Sequence, residues 1–261
     1  MHTKEYLKSQ LLEMGLKPTD TVMIHTSLRA VGKTENGADG VIDAFCEVLS
    51  DGLFLVPTHT WNSVHKNQPV FDVNKTVPCI GALPTDAAFR KDGVRSLHAT
   101  HSVWAHGKNA EEFIRGEELA KTPAPVGGLW DRLADVGAKI LLIGVGNNNN
   151  TFIHAIDERA DVPDRLSENP YQTLLIDRDG KEYIGEMRGH RCSKTNDVSQ
   201  FFPNFEPALI ETGAQSFGKL GDATVRIVDA KKCRDVIMKI LSNAKEDLCV
   251  KKMDIPTEYW R

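Results

Sequence analysis

The sequence has no long apolar run, no excess of positive charge and no paired-cysteine motif. None of its segments approaches the roughly 18 apolar residues that a membrane-spanning helix needs. The formal net charge is −4 at pH 7, whereas proteins that bind nucleic acid usually carry a clear positive excess. We therefore expect no nucleic-acid partner and no membrane partner.

The cysteines argue against a disulfide framework. The five thiols are odd in number and contain no CxxC pair: Cys46, Cys79, Cys192, Cys233 and Cys249. Such a scattered set is typical of a reducing compartment rather than of a disulfide-rich protein or a zinc ribbon. The first residues have helix-like spacing instead of an apolar signal core. These features predict a cytoplasmic protein.

Apolar runs that end in polar turns predict buried strands at 21–28, 52–60 and 140–145. Residues 38–49, between the first two strands, have the apolar spacing of a helix. A strand, a helix and a second strand in this order favour parallel pairing through a crossover helix. The sequence therefore predicts an α/β fold whose central sheet is largely parallel and flanked by helices.

The chain changes character beyond residue 161. Residues 171–177 and 182–187 flank a turn that contains Gly180, and this pattern predicts an antiparallel hairpin. Residues 61–78 have little periodicity and predict a long loop, which in a compact domain is usually functional or disordered. A single mixed α/β domain over 1–261, with an antiparallel C-terminal part from about 162, is the simplest organisation.

The strand at 140–145 leads into glycines, four asparagines and a predicted helix capped by Asn150 or Thr151. His154 and Glu158 are four residues apart on that helix and therefore share one face. A carboxylate against one imidazole nitrogen raises the basicity of the other nitrogen, as it does for a catalytic base. This makes His154 the candidate general base and Glu158 its partner. The same spacing is also common in solvated surface pairs.

Further polar groups collect at the predicted strand ends, where open α/β sheets bind their ligands. Five of the nine histidines lie there: His25, His59, His98, His101 and His154. The turn at 25–28 is suited to an oxyanion, a phosphate or an amide-bearing arm, or is an ordinary helix cap. Acidic residues outnumber basic ones after the candidate base, so Asp157 and Asp161 are candidates for contacting a cationic substrate, unless they form a solvated face.

Other chemistries remain open on the residues alone. Gly144 and Gly146 lack the third glycine of a dinucleotide fingerprint, which makes a nicotinamide enzyme a weak alternative. A zinc hydrolase would use His154, Glu158 and either His190 or Cys192, although this spacing is not specific for zinc. Cys192 near His190 would suit a thiol nucleophile. A module that binds a ligand without catalysis is the alternative outside the enzymes.

Four groups of residues, in order along the chain, together resemble one known family. The groups are 25–28 after the first strand, 56–58 at the end of the second, 95–98 with 100–102, and 141–146 with Asn150, Thr151, His154 and Glu158. This arrangement is similar to that of the aminoglycoside 3-N-acetyltransferases, also called antibiotic N-acetyltransferases, which use acetyl-CoA. The likeness extends from about residue 20 to 160, with a weaker echo at 218–229.

The resemblance implies an acyltransferase that moves acetyl from acetyl-CoA to the 3-amine of a 2-deoxystreptamine aminoglycoside and requires no metal. It implies that His154 is catalytic and that Glu158 is its partner. It also implies that a further set of residues binds the coenzyme: His25, Thr26, Ser27, Leu28, Ser96, His98 and Ser102.

The sequence departs from the family pattern in ways that concern the acceptor. Ala99 stands where the family pattern has a proline, and 122–125 replaces a usual Ser-Pro. The region beyond Arg159 matches the family poorly, so an amine metabolite other than an aminoglycoside stays open as the acceptor. A homodimer is also left open by the sequence.

Overall fold

Ten strands in two sheets and nine α-helices make up the part of the chain that the computed structural model describes, residues 1–244 and 247–261. The strands are β1 (Thr21–Thr26), β2 (Leu53–Pro57), β3 (Val70–Asp72), β4 (Val94–Arg95), β5 (Val103–Gly107), β6 (Lys139–Ile143), β7 (Tyr171–Ile176), β8 (Glu182–Met187), β9 (Gln215–Leu220) and β10 (Ala223–Asp229). The helices are α1 (Lys4–Glu13), α2 (Leu28–Val31), α3 (Gly37–Val48), α4 (Ala82–Phe89), α5 (Ala110–Phe113), α6 (Leu129–Asp135), α7 (Phe152–Arg159), α8 (Glu206–Glu211) and α9 (Ala230–Asn243).

The main sheet has seven strands in the order β4, β5, β2, β1, β6, β10 and β9. Strand β1 pairs in parallel with both β2 and β6, so that Met23 lies opposite Leu55 on one side and Ile24 lies opposite Leu141 on the other. Strands β5 and β10 run antiparallel to these three on the two flanks. The predicted mixed α/β class is confirmed, and its parallel part consists of the three central strands.

The central strands form because their side chains are apolar on both faces. The last four residues of β6 are fully buried, as expected for a parallel strand that is covered by helices above and below. One face packs against α6, α7 and α9 around Trp130, and the other face packs against α1, α3 and α4 around Phe45. The carboxyl ends of β1, β2 and β6 consequently meet at one edge of the sheet.

The turn that follows β6 depends on a glycine. Gly144 has φ +67°, a left-handed conformation that favours glycine. A Cβ added there would lie 2.2 Å from the Cβ of Ala30 in α2. The absence of a side chain therefore lets the loop before α7 lie directly against the helix that follows β1.

The second sheet contains the predicted hairpin and one strand from the region predicted as a loop. Strands β7 and β8 pair antiparallel, with Tyr171 opposite Met187, which confirms the hairpin. Within 61–78, β3 adds to β7 in parallel and buries Phe71 beneath the small sheet. A strand of three residues is too short to produce a recognisable alternation in the sequence.

Some predicted details differ from the structure. The capping side chain expected from Asn150 or Thr151 is not used, because Thr151 has helical dihedral angles and its hydroxyl accepts no cap bond.

Residues 199–205 form a 3-10 helix that contains Pro203 and continues into α8. Within the described ranges, no helix combines the length and apolarity that crossing a bilayer requires.

Candidate active site

A cavity of about 1090 Å³ opens at the carboxyl ends of β1 and β2 and at the start of α7. Its floor comes from the main sheet, and its rim comes from the segment at 61–66 and from the residues around the small sheet. The lining residues lie within 24–26, 56–66, 80–84, 100–101, 148–154, 167–171, 189–192 and 196–200, with Pro123 and Val145 in addition. The site is therefore at the strand ends where the sequence placed it.

Unpartnered polar atoms mark the wall of this cavity. Nine buried side-chain nitrogen or oxygen atoms in the described residues have no hydrogen-bond partner. Five of the nine belong to cavity-lining residues: His25 Nε2, Thr26 Oγ1, His59 Nε2, Asn150 Oδ1 and His154 Nδ1. Because buried polar atoms are normally hydrogen bonded, this concentration indicates a surface that is completed by a ligand.

His154 faces a second imidazole. Its ring stacks on the ring of His190, with centroids 3.9 Å apart and planes inclined by 24°. The edge of Phe202 packs against it, with centroids 4.8 Å apart. Burial is the main cause that lowers the pKa of His154 well below 6.5, and His190 adds to the effect. The ring is therefore neutral at pH 7 and free to accept a proton.

The predicted bond between Glu158 and His154 is not formed; Glu158 bonds to His190 instead. The Nε2–H of His190 donates to Glu158 Oε1 at 3.2 Å. The same carboxylate accepts the Thr122 hydroxyl and, at 2.9 Å, the backbone N–H of Ala124. These two donors from the preceding loop turn the carboxylate away from His154, although the helical spacing places both side chains on one face. The ring of His190 therefore lies between Glu158 and the candidate base His154.

Four further histidines form a buried cluster at or beneath the floor: His25, His59, His98 and His101. The rings of His59 and His101 have centroids 4.4 Å apart, and His101 lies 5.4 Å from His190. Burial lowers the pKa of His25 to about 3 and that of His98 to about 4. It also lowers the pKa values of His59 and His101 well below 6.5. The cluster therefore adds no positive charge to the cavity at neutral pH.

Two of the residues predicted to bind the coenzyme line the cavity, namely His25 and Thr26. Ser27 instead caps α2, where its hydroxyl oxygen accepts the N–H of Ala30 at 3.3 Å. Leu28 packs against the core beneath the sheet. The turn at 25–28 thus contains a helix cap at Ser27, and its first two residues face the cavity.

The other predicted coenzyme residues are buried in the loop between β4 and β5 and do not line the cavity. The Ser96 hydroxyl oxygen accepts the N–H of Val103 at 2.9 Å. His98 Nδ1 accepts two backbone N–H groups at 3.2 and 3.0 Å, so its Nε2–H donates to the Thr122 carbonyl at 3.1 Å. Ser102 bonds to the hydroxyl and carbonyl at the end of β2. These side chains hold the loop that positions Glu158.

The two carboxylates predicted to contact a cationic substrate lie elsewhere. Asp157 is 1% exposed and accepts the Nε–H of Arg165 at 2.9 Å, on the face of α7 turned away from the cavity lining. Arg165 also donates to both oxygens of Asp247 at 2.7 Å. Asp161 is exposed just beyond α7 and is not a lining residue.

Sequence reasoning gave no role in acetyl transfer to several residues that the fold brings to the cavity. His190, weighed only for zinc or beside a thiol nucleophile, lies 32 residues after Glu158 and bonds to it. Trp61 and Tyr171 also line the cavity, from two segments that are far apart in the sequence. No spacing pattern connects these positions.

The ligand set weighed for zinc does not converge. His154 and His190 lie face to face, an arrangement that does not direct their nitrogens to a shared point. In residues 1–244 and 247–261, the ligand atoms of one trio do lie within 4.8 Å of one another: Cys46, Asp92 and His106. That trio is outside the cavity, and Arg90 donates to both oxygens of its carboxylate.

Comparisons with known proteins agree with this architecture. The family model of the aminoglycoside 3-N-acetyltransferases matches residues 23–242. Aminoglycoside N(3)-acetyltransferase IV of a Salmonella species is 27% identical over 250 residues, which cover 94% of this chain and 88% of that protein.

Two solved structures share the fold. One is a mutant of aminoglycoside acetyltransferase AAC(3)-IVa in complex with a gentamicin, with a TM-score of 0.76, 25% identity and coverage of 93% and 89%. The other is AAC-IIIb in a binary complex with CoASH, with a TM-score of 0.77, 20% identity and coverage of 89% and 93%.

Proposed function

Because the chain belongs to the aminoglycoside 3-N-acetyltransferase family, we propose that it transfers acetyl from acetyl-CoA to an amine, with His154 as general base. The first acceptor to test is the 3-amine of a 2-deoxystreptamine aminoglycoside. One observation carries the proposal: a neutral imidazole with an unpartnered buried nitrogen lies on the wall of a large cavity at the strand ends. Complexes of relatives with CoASH and with a gentamicin support the two substrates.

Most amines are protonated at neutral pH, and the ammonium form must lose one proton to solvent before its nitrogen can attack a carbonyl carbon. As the neutral amine attacks the thioester and the C–N bond forms, the nitrogen becomes positively charged, and His154 takes a second proton from it. The tetrahedral intermediate then collapses, the C–S bond breaks, and the thiolate leaves and recovers a proton from His154. A positioned base typically contributes about 10² to 10⁴ in rate.

Thr26 is the proposed donor to the oxyanion. Its hydroxyl lines the cavity, is buried and has no protein partner. A hydroxyl of this kind can donate to the oxygen on which negative charge develops during attack. Removing one such donor from an enzyme commonly costs about 3 kcal/mol of transition-state stabilisation.

Glu158 is proposed to support the protonated state of His154, against the lowering effect of burial and of His190. When His154 takes up a proton, the carboxylate of Glu158 lies one stacked ring away and attracts the new charge. Glu158 therefore acts through His190 and not by a direct bond. The cavity residues between 167 and 200 would form the acceptor side.

We propose that these side chains suffice for the reaction without a metal ion. The test is a titration of acetyl-CoA in a calorimeter, followed by an assay of CoA release with a panel of aminoglycosides and other amines. Binding with a stoichiometry of one per chain and amine-dependent release support the proposal. Binding without release from any amine would instead support the non-catalytic module.

Two enzyme alternatives are separated in the same assay. A zinc hydrolase predicts stoichiometric zinc in the purified protein and loss of activity on addition of a chelator. A thiol nucleophile predicts that Cys192→Ala abolishes turnover, since Cys192 lines the cavity beside His190. Full activity after chelation and in Cys192→Ala is the result expected for direct transfer to the amine.

A further inference from the structure

The charges that line the cavity balance one another. Among the described residues, the lining contains two cationic side chains, Lys66 and Arg191, and two carboxylates, Glu168 and Asp197. Burial keeps the histidines of the floor neutral at pH 7. The cavity therefore lacks the acidic excess that the sequence suggested in this region.

Both lining carboxylates already have partners within the chain. Glu168 Oε1 lies 3.9 Å from Arg191 Nη1. Asp197 Oδ1 accepts the backbone N–H and the hydroxyl of Ser199, at 2.9 and 2.7 Å. Glu168 is therefore paired with a cation, and Asp197 is the one lining carboxylate without an ion pair among the described residues.

Three carboxylates that are close in sequence to lining residues also have hydrogen-bond partners within the chain. Glu158 accepts three donors, and Asp157 is paired with Arg165. Asp164 accepts the N–H and the hydroxyl of Ser193, both at 2.6 Å. An aminoglycoside carries several ammonium groups, and each one that is buried without an opposite charge costs free energy.

The lining contains more neutral amide side chains than charged side chains. The amide side chains are those of Asn148, Asn149, Asn150, Asn169, Asn196 and Gln200. Each amide can both donate and accept, which suits the hydroxyl groups of a sugar. The Oδ1 of Asn150 is buried and unpartnered, so this wall already contains an acceptor that a ligand hydroxyl would satisfy.

From this lining we infer that the acceptor is an amino sugar with a single amine and several hydroxyl groups, rather than a polycationic aminoglycoside. The inference rests on the proposed acetyl transfer and specifies its substrate class. The amides bind the hydroxyls, and the single amine reaches His154.

The experiment compares kcat/KM for amino sugars that have one amine, including glucosamine, with kcat/KM for kanamycin at low and high salt. We expect a preference for a single-amine sugar of about tenfold or more, which is about 1.4 kcal/mol. We also expect little dependence on salt, because a lining without net charge gives a single-amine sugar little electrostatic attraction for salt to screen. A higher kcat/KM for kanamycin that falls steeply with salt would overturn the inference.

Added carboxylates provide the matched test. Asn149→Asp and Asn196→Asp should raise kcat/KM for kanamycin several-fold relative to the single-amine sugar, whereas Asn243→Asp on α9, outside the cavity, should not. An unchanged ratio in the cavity variants would count against the inference.

A calorimetric titration of kanamycin into the wild-type protein does not depend on turnover. Tight binding would overturn the inference and leave the acetyl transfer proposal intact. Failure of every amine to release CoA would remove the proposed function instead.

Discussion

At the scale of single residues, the candidate site is an assembly of uncharged imidazoles and one free hydroxyl. His154, His59 and His25 each present a buried nitrogen without a partner. Burial keeps these rings neutral, and a neutral imidazole is the form that removes a proton from an amine. The energetic cost of leaving such groups unbonded is recovered when a substrate binds.

His154→Ala tests the base. We expect kcat to fall by about 10² to 10⁴, with the affinity for acetyl-CoA changed by no more than about threefold, because the ring acts in proton transfer. Initial rates of CoA release and coenzyme titrations measure the two quantities. His106→Ala is the control, since that ring lies outside the cavity and bonds to the Asp92 carbonyl. Near-normal turnover in His154→Ala would remove this residue from the mechanism.

Thr26→Val tests the oxyanion donor by replacing a hydroxyl with a methyl group of similar size. We expect kcat to fall by about tenfold to a hundredfold and KM for the amine to change little, because the bond strengthens only as the oxyanion forms. Thr26→Ser retains the hydroxyl and should stay within a few-fold of wild type. Equal rates for the valine and serine variants would contradict the role.

The sequence was sufficient to place His154 at a strand end but not to identify its neighbours. The position followed from an apolar strand, a glycine turn and a helix, which are local features. The partner of Glu158 depends on Thr122 and Ala124, two loop residues more than thirty positions away in the chain. The prediction that Asp157 and Asp161 contact a cationic substrate failed for the same reason. A local excess of acidic residues does not show which side chain will be buried in the core.

At the scale of elements, α7 is fixed by ion pairs on its buried side. Arg165 is 4% exposed and links Asp157 of α7 to Asp247 near the end of the chain. Arg159, at the last turn of the helix, makes two bonds to Asp131 of α6 at 2.7 and 2.6 Å. The helix that presents His154 is therefore held both to its neighbour and to the C-terminal segment.

Arg165→Met should destabilise the protein by about 3–5 kcal/mol, because it leaves two buried carboxylates without their cation. Urea unfolding followed by circular dichroism measures the change. Arg178→Met is the matched control, since its pair with Glu111 is exposed and should contribute about 0–1 kcal/mol. Similar losses in the two variants would show that Arg165 has no special role in holding α7.

Elements with a strong periodic signal were predicted, and the exceptions are short. The β1, α3 and β2 unit was predicted because its apolar runs have the periods of a buried strand and a helix. Strand β3 has only three residues, and strand β9 has exposed side chains such as Phe217 between its buried ends. Both form because a neighbouring strand offers unpaired backbone groups, and a tertiary cause of this kind leaves no local pattern.

At the scale of the whole molecule, the buried histidines make stability depend on pH. The rings of His25, His59, His98 and His101 have pKa values lowered by burial, to about 3 for His25 and about 4 for His98, whereas an unfolded histidine titrates near 6.5. Below pH 6.5 the unfolded chain therefore binds protons that the folded chain does not. Their contribution to stability is fully present above this pH and is lost as the pH falls towards 4.

The expected result is a fall in the free energy of unfolding between pH 6.5 and 5, steepening to about 1.4 kcal/mol per pH unit for each ring. Denaturant titrations across this range measure the slope. His98→Gln removes one titrating ring. It should reduce the slope of the unfolding free energy against pH by the amount that corresponds to about one bound proton, whatever its effect on stability at pH 7.5. A flat profile would show that these rings are protonated in the folded state.

The cavity takes its floor from the ends of β1 and β2 and the start of α7, whereas much of its rim comes from 167–200, around a separate small sheet. Mutations in the rim can accumulate without disturbing the buried strands that hold the reactive groups. A substitution in the rim would thus alter the mouth of the cavity and leave the buried strands beneath it unchanged.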